Sequence, residues 1–180
     1  MKIKKIAFPE NSMLSKIKYD YADSYFGQIQ KENNNISIEE ISKAFLTSSP
    51  RWIDLLMVFR NKIVSIFGLK TGNTLHKKDI LSNHFTIEKG KRIGIFKVYE
   101  QNEGELILGE DDHHLNFRVS LLLEPADRDQ KELIISTIVK FNNTLGRLYF
   151  LPVKPFHKLI VKNMLRNTIK EIHKLNTITT

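Results

Sequence analysis

The chain has 180 residues and a formal net charge of +8, with 28 Lys and Arg against 20 Asp and Glu, 41% apolar residues and no cysteine. That composition excludes disordered and fibrous classes, and the missing cysteine excludes disulfides, zinc–thiolate sites and cysteine nucleophiles, pointing to a reduced, cytoplasmic setting. No apolar run approaches the ~20 residues of a membrane helix, and Met1-Lys-Ile-Lys-Lys-Ile has the charge of a secretory leader without the apolar segment behind it. The length suits one domain, residues 1–180, with a core over about 15–170 and frayed termini.

In chain order, alternating aromatics over 18–30 (Tyr19, Tyr21, Tyr25, then Ile29) predict an opening strand. Ser37-Ile-Glu-Glu40 is a capping box that starts a short helix through Ile41, Ala44 and Phe45. Ser49-Pro50 begins a second helix, with Ser as N-cap and Pro at the first helical position. Its apolar face runs through Trp52, Leu55, Leu56, Phe59, Ile63, Ile66 and Phe67 to a stop at Gly68. Residues 71–90 have no clear period and read as a loop or lid with a short strand near Phe85–Ile87. Strands follow: Arg92–Gln101, a turn at Asn102-Glu-Gly104, Glu105–Gly109, an acidic turn Glu110-Asp-Asp112, His113–Glu124, a polar loop Pro125–Gln130, and Lys131–Asn142. Short links between neighbours make an antiparallel meander. Asn143-Thr144 caps a short helix Leu145–Leu151, Pro152 and Pro155 interrupt, and a last helix runs from Pro155 to about His173. Helices segregated from a meander make the class α+β. A curved sheet around a long C-terminal helix leaves a space in which a small ligand would bind.

Gly109-Glu-Asp-Asp-His-His-Leu-Asn-Phe-Arg-Val-Ser120 is one signature. Phe141-Asn-Asn-Thr-Leu-Gly-Arg-Leu-Tyr149, followed by Val153-Lys-Pro-Phe-His157, is a second. With the Trp52 helix they resemble an uncharacterised bacterial family, domain of unknown function 2867, over about residues 15–170. The resemblance implies a helix-grip fold, similar to the superfamily of START lipid-transfer domains, polyketide cyclases and birch-pollen-type allergens. It implies no particular activity, because binding, cyclisation and lipid transfer all occur on that fold.

On the strand His113–Ser120, Leu115, Phe117, Val119 and Leu121 share one face, and His114, Asn116, Arg118 and Ser120 the other. Arg118 is then an exterior residue. If both faces are covered, it is instead a buried cation serving a ligand anion or an internal ion pair. His113 and His114 point opposite ways, and no His-Glu-x-x-His pair or phosphate loop occurs, so no metal or cofactor is assigned and no catalytic residue is named. Asn142 and Asn143 either cap the following helix or line a site. Tyr149 either bonds backbone or, with His157, sits at a cavity rim as a hydrogen-bond donor. Projected at ~100° per residue, Phe156, Leu159, Ile160, Asn163 and Asn167 share one arc of the last helix, with Met164 beside it. This arc is expected to face the sheet, its asparagines meeting water, sheet carbonyls or a ligand. The bases at 154, 158, 162, 166, 170 and 174 spiral around the helix, reaching that arc by Lys170, so packing is expected to end near Thr168.

Three functions compete. The preferred one binds a small apolar molecule or lipid in a cavity between sheet and C-terminal helix, using Trp52, Arg118, Asn143, Tyr149, His157 and Asn163. The second is a cyclase- or hydrolase-like enzyme on the same scaffold, which needs His157 or Arg118 inside the cavity. The third binds an acidic surface through the basic helix. Eight bases between Lys140 and Lys174 are opposed there by Glu171 alone. Peripheral membrane contact fits this reading. Nucleic acid is disfavoured, since Phe156 is the lone aromatic among the helix bases and no recognised motif is present. Oligomeric state is not written in the sequence.

Overall fold

The computed structural model describes residues 2–29, 36–48, 87–93, 96–126 and 130–179, with side chains through Lys174. The helix expected from Ser49 to Gly68, with Trp52, lies outside the described residues, as does the expected loop or lid over 71–90 up to residue 86.

Seven strands form one antiparallel sheet: β1 (Lys4–Ile6), β2 (Tyr21–Ile29), β3 (Arg92–Ile93), β4 (Phe96–Gln101), β5 (Glu105–Asp111), β6 (Leu115–Ala126) and β7 (Gln130–Phe141). Their order is β1-β2-β7-β6-β5-β4-β3, so β2 returns to pair with the last strand, Tyr21 opposite Val139 and Ile29 opposite Lys131. Two helices are described, α1 (Ile38–Thr47) and α2 (Thr144–Thr179). The α+β class and the antiparallel meander stand. The capping box at α1 is complete: Glu40 N–H donates to Ser37 Oγ at 3.2 Å, and Ser37 N–H donates to Glu40 Oε2 at 2.9 Å.

Local expectations are corrected in three places. The run Arg92–Gln101 is two strands, β3 and β4, which pair antiparallel with Ile93 opposite Phe96. Glu110 and Asp111 belong to β5, opposite Phe117 and Asn116, and Pro125 and Ala126 to β6, opposite Lys131 and Gln130. Two long ladders carry these polar ends beyond the points where side-chain character would end them. Lastly, α2 is continuous through Pro152 and Pro155. A proline removes the hydrogen bond to the carbonyl four residues back. Here those carbonyls belong to Leu148 and Leu151, whose residues are 64% and 66% exposed, so water can satisfy them.

The inner face of the sheet carries Tyr25 and Ile29 from β2, Leu133 and Ile135 from β7, Val119 and Leu121 from β6, and Leu106 and Leu108 from β5. It packs against Ile41, Ala44 and Phe45 of α1 and Val161, Met164, Leu165, Ile169 and Ile172 of α2. The arc projected to face the sheet is therefore met only in part, through Ile160 and Met164. Phe156 and Leu159 are 51% and 55% exposed, Lys170 stays in solvent, and packing continues to Ile172. The helix has two apolar arcs, and the sheet and α1 take the one at 161, 164, 165, 169 and 172, where spacings of three and four align branched side chains along one stripe.

The outer face is covered in its middle by the N-terminal segment. Leu14, in a 3-10 turn Met13–Lys16, packs with Ile107 and Ile138 beside Phe8 and Met13. Glu105, 2% exposed, fastens this segment: its Oε1 accepts from the hydroxyls of Ser12 (2.6 Å) and Ser120, and its Oε2 accepts from the Met13 N–H (2.7 Å). A buried carboxylate is tolerable because donors replace the water it gives up. Glu105→Gln puts an amide against one of these donors. It should lower unfolding free energy by about 1–2 kcal/mol and speed amide exchange across Met13–Ile17. An unchanged denaturation midpoint would show that these bonds add nothing net.

Candidate functional site

One polar group interrupts the apolar inner face. Tyr21 and Asp23 follow the inward phase of β2 that Tyr25 and Ile29 continue, and Thr137 stands opposite Asp23 on β7. Asp23 is 4% exposed. Its Oδ2 accepts from the Tyr21 hydroxyl at 2.6 Å, and its Oδ1 lies 3.3 Å from His157 Nε2 on α2, which donates when it carries the ring proton. Burial works against the charge on Asp23. The His157 hydrogen bond and charge, the Tyr21 hydrogen bond and the charge of Lys5 prevail and hold its carboxyl below the usual range. Burial and the same carboxylate push the Tyr21 phenol far up, so it remains a neutral donor. Thr137, 2% exposed, has a buried Oγ1 with no hydrogen-bond partner among the described residues. Phe150 closes the group, its ring edge-on to Tyr21 at 4.8 Å and 6.5 Å from His157. Lys154 Nζ lies 5.0 Å from the Tyr21 ring centre.

A second group sits where α2 begins. Asn143 is the N-cap: its Oδ1 accepts from the Gly146 N–H at 3.0 Å, while its Nδ2 donates to the His113 carbonyl at 3.0 Å. Asn142 Nδ2 donates to the Asp112 carbonyl and to Asn116 Oδ1. Tyr149 stacks edge-on against the buried His114 ring at 5.1 Å and packs with the cluster of Leu115, Val139 and Phe150. His114 Nδ1 approaches Asp112 Oδ1 to 3.4 Å without hydrogen-bond geometry.

Of the residues singled out in the sequence, His157 is at the inner-face group, and Tyr149 and Asn143 are at the helix start. Asn163 lies further along α2, where its Oδ1 accepts from Arg166 at 3.2 Å. Asn167 donates to the Ser48 carbonyl at the end of α1, also at 3.2 Å. Arg118 is on the opposite face of the sheet, as half of an internal ion pair: Nη2 is 2.8 Å from Asp111 Oδ1 and the guanidinium lies 3.5 Å over the Tyr99 ring. Tyr99 in turn donates to Asp111, and burial with that bond pushes its phenol up to about 12. Trp52 lies outside the described residues. Among the described residues no three His, Cys, Asp or Glu side chains gather as a metal site.

Sequence reasoning missed Tyr21, Asp23 and Thr137. The available signal was a charged residue in the inward phase of an aromatic strand, since such a position demands partners.

The family described as "Protein of unknown function (DUF2867)" matches residues 17–164, and the chain belongs to it. No curated protein matches. A solved structure described as "Crystal structure of conserved protein from Geobacillus kaustophilus" is similar at 15% identity and a TM-score of 0.32, over 44% of this chain and 55% of that one. Thus the chain spans about half the length of that protein.

Proposed function

We propose that this member of an uncharacterised family binds a small, largely apolar molecule between the inner face of the sheet and α2, with the molecule's polar end at Asp23, Thr137 and His157. The observation that carries the reading is the Thr137 hydroxyl. Among the described residues it is buried without a hydrogen-bond partner, beside a charged carboxylate, in a sheet face otherwise built from Val, Leu, Ile and aromatic side chains. A buried donor or acceptor left unpaired costs about 1–3 kcal/mol, which a ligand atom would recover. The remaining candidates, Asn143 and Tyr149, would border the same region from the start of α2, while Arg118 would act only as an outer-face brace and Asn163 through its Arg166 contact. The architecture is read as a helix grip, similar to START domains. Support comes from the return of β2 to the last strand and from α2 lying across the inner face. The cytoplasmic reading rests on the absence of cysteine. Among the described residues, no helix is long and apolar enough to cross a membrane.

Native mass spectrometry of gently purified protein, set against its denatured mass, tests the binding. The expected result is an added mass in the small-molecule range that falls in Thr137→Val, which keeps the shape and removes the hydroxyl. A bare native mass across preparations would overturn it.

The Asp23–His157 pair favours a catalytic second reading, because a carboxylate on one imidazole nitrogen orients the ring and leaves the other for acid–base work. Conversion of the extracted molecule by the protein, stopped by His157→Gln, is the expected sign. Recovery of that molecule unchanged would remove the reading.

A further inference from the structure

The side of α2 turned away from the sheet carries an apolar stripe. Leu145, Leu148, Leu151, Phe156 and Leu159 are each between 51% and 66% exposed, and Ile17 and Tyr19 are the other large apolar residues exposed among those described. At ~100° and ~1.5 Å per residue these positions form one band about 20 Å long. Pro152 and Pro155 fall within it and are themselves exposed.

Bases border the band along one flank. Arg147, Lys154 and Lys158 project to its side, and Lys162 and Arg166 continue the line beyond Leu159. Lys154 and Lys162 lie over the rings of Tyr21 and Tyr25, so this flank is the one facing β2. From the neighbouring edge strand, exposed Lys5 adds to this flank opposite inward-facing Tyr25, while Lys4 lies over Phe26 on the other face of the sheet. Ile3 ahead of β1 and Ile169 of α2 both approach Gly27, which places β1 alongside the helix. No acid occurs between Thr144 and Lys170.

We infer that this face of α2 docks on an anionic lipid surface, with the leucine and phenylalanine side chains entering the interface and the bordering bases meeting lipid phosphates. Leu and Phe along one side of a helix, with Lys and Arg beside them, match the interfacial amphipathic pattern. Lys stems can lie along apolar surface while their charges reach outward. The prolines limit the depth. They free the carbonyls of Leu148 and Leu151, which need water or headgroup donors and so keep the helix at headgroup level. A second copy of the chain is a poorer occupant, since two such faces would bring like charges together, and Asp20, 3.7 Å from Arg147, is already engaged within the chain. Nucleic acid would satisfy the bases but leave the leucines unpaired. The apolar band is on the far side of α2 from Asp23, although Lys154 on its flank lies 5.0 Å from the Tyr21 ring centre, so the leucine variant tests the docking independently of any ligand there.

Co-sedimentation with vesicles of phosphatidylcholine alone, and of phosphatidylcholine with phosphatidylglycerol, tests the docking. The full chain should partition at least about tenfold more strongly onto the anionic vesicles, less so in high salt. The triple variant Leu148→Ser, Leu151→Ser and Leu159→Ser should lose this binding with an unchanged thermal midpoint, because all three are exposed. Lys154→Glu with Lys158→Glu should lose the preference for anionic lipid. No binding to anionic vesicles would overturn the inference, as would binding that the triple variant leaves intact. Self-association by light scattering that the triple variant abolishes, without vesicle binding, would assign the face to a second copy instead.

Discussion

Gly146→Ala should lower the unfolding free energy by about 3 kcal/mol and the thermal midpoint by roughly 6–12 °C. Gly146 is the third residue of α2 and sits against the turn before β6. A Cβ there would overlap the His114 carbonyl oxygen and lie 2.8 Å from its carbon. Both atoms are backbone, in a turn held by the Asn142 N–H on that same carbonyl and by Asn143 Nδ2 on His113, so neither moves cheaply. Gly27→Ala is the matched comparison. Its Cβ would meet the side-chain ends of Ile169 at 2.6 Å and Ile3 at 2.8 Å, which can rotate away, and the loss should be smaller. Thermal unfolding of both variants checks this. A midpoint within two degrees or so of the parent for Gly146→Ala would mean that the helix start is not wedged against that turn.

This wedge was partly legible. Asn143-Thr144 announced a helix start, and both bonds of the Ser37 capping box followed from four residues of sequence. Signals of this kind are local, so they survive without knowledge of the fold. Misread features depended on partners distant in the chain. The apolar run around Ile93 and Phe96 looked continuous because the pairing of its two halves is not a local signal. Pro152 and Pro155 looked like a break because the local cost of proline is fixed, while packing of the Val161–Ile172 arc, which keeps α2 whole, is tertiary. That helix offers two apolar arcs, and nothing local says which one the sheet takes. Arg118 is ambiguous between exposure and pairing for the same reason: Asp111 and Tyr99 reach it only through the β5 and β4 pairings. Asp23 is hidden to a pattern of aromatics alone, though its inward phase is set by Tyr21 and Tyr25.

Asp23→Ala should cost about 3–4 kcal/mol at neutral pH, because it strands the Tyr21 hydroxyl and the half-buried His157 ring around a cavity. Asp23→Asn keeps the shape and an acceptor for Tyr21, and should cost less. The pH dependence carries a definite sign. The folded carboxyl ionises below the usual range, held there against burial by His157, Tyr21 and Lys5. Its stabilising contribution is therefore complete above the unfolded value of about 4 and is lost as pH falls through the folded value. The stability gap between the parent and Asp23→Asn should narrow as pH falls from about 5 toward 2. A gap independent of pH would show that the charge on Asp23 stabilises nothing. The two variants also separate architecture from binding. A purely structural Asp23 would lower the midpoint in Asp23→Asn while leaving any bound mass untouched. An Asp23 that fixes the polar end of a ligand through Thr137 and His157 would lose that mass in a protein that still folds, and the proposed site requires this second outcome.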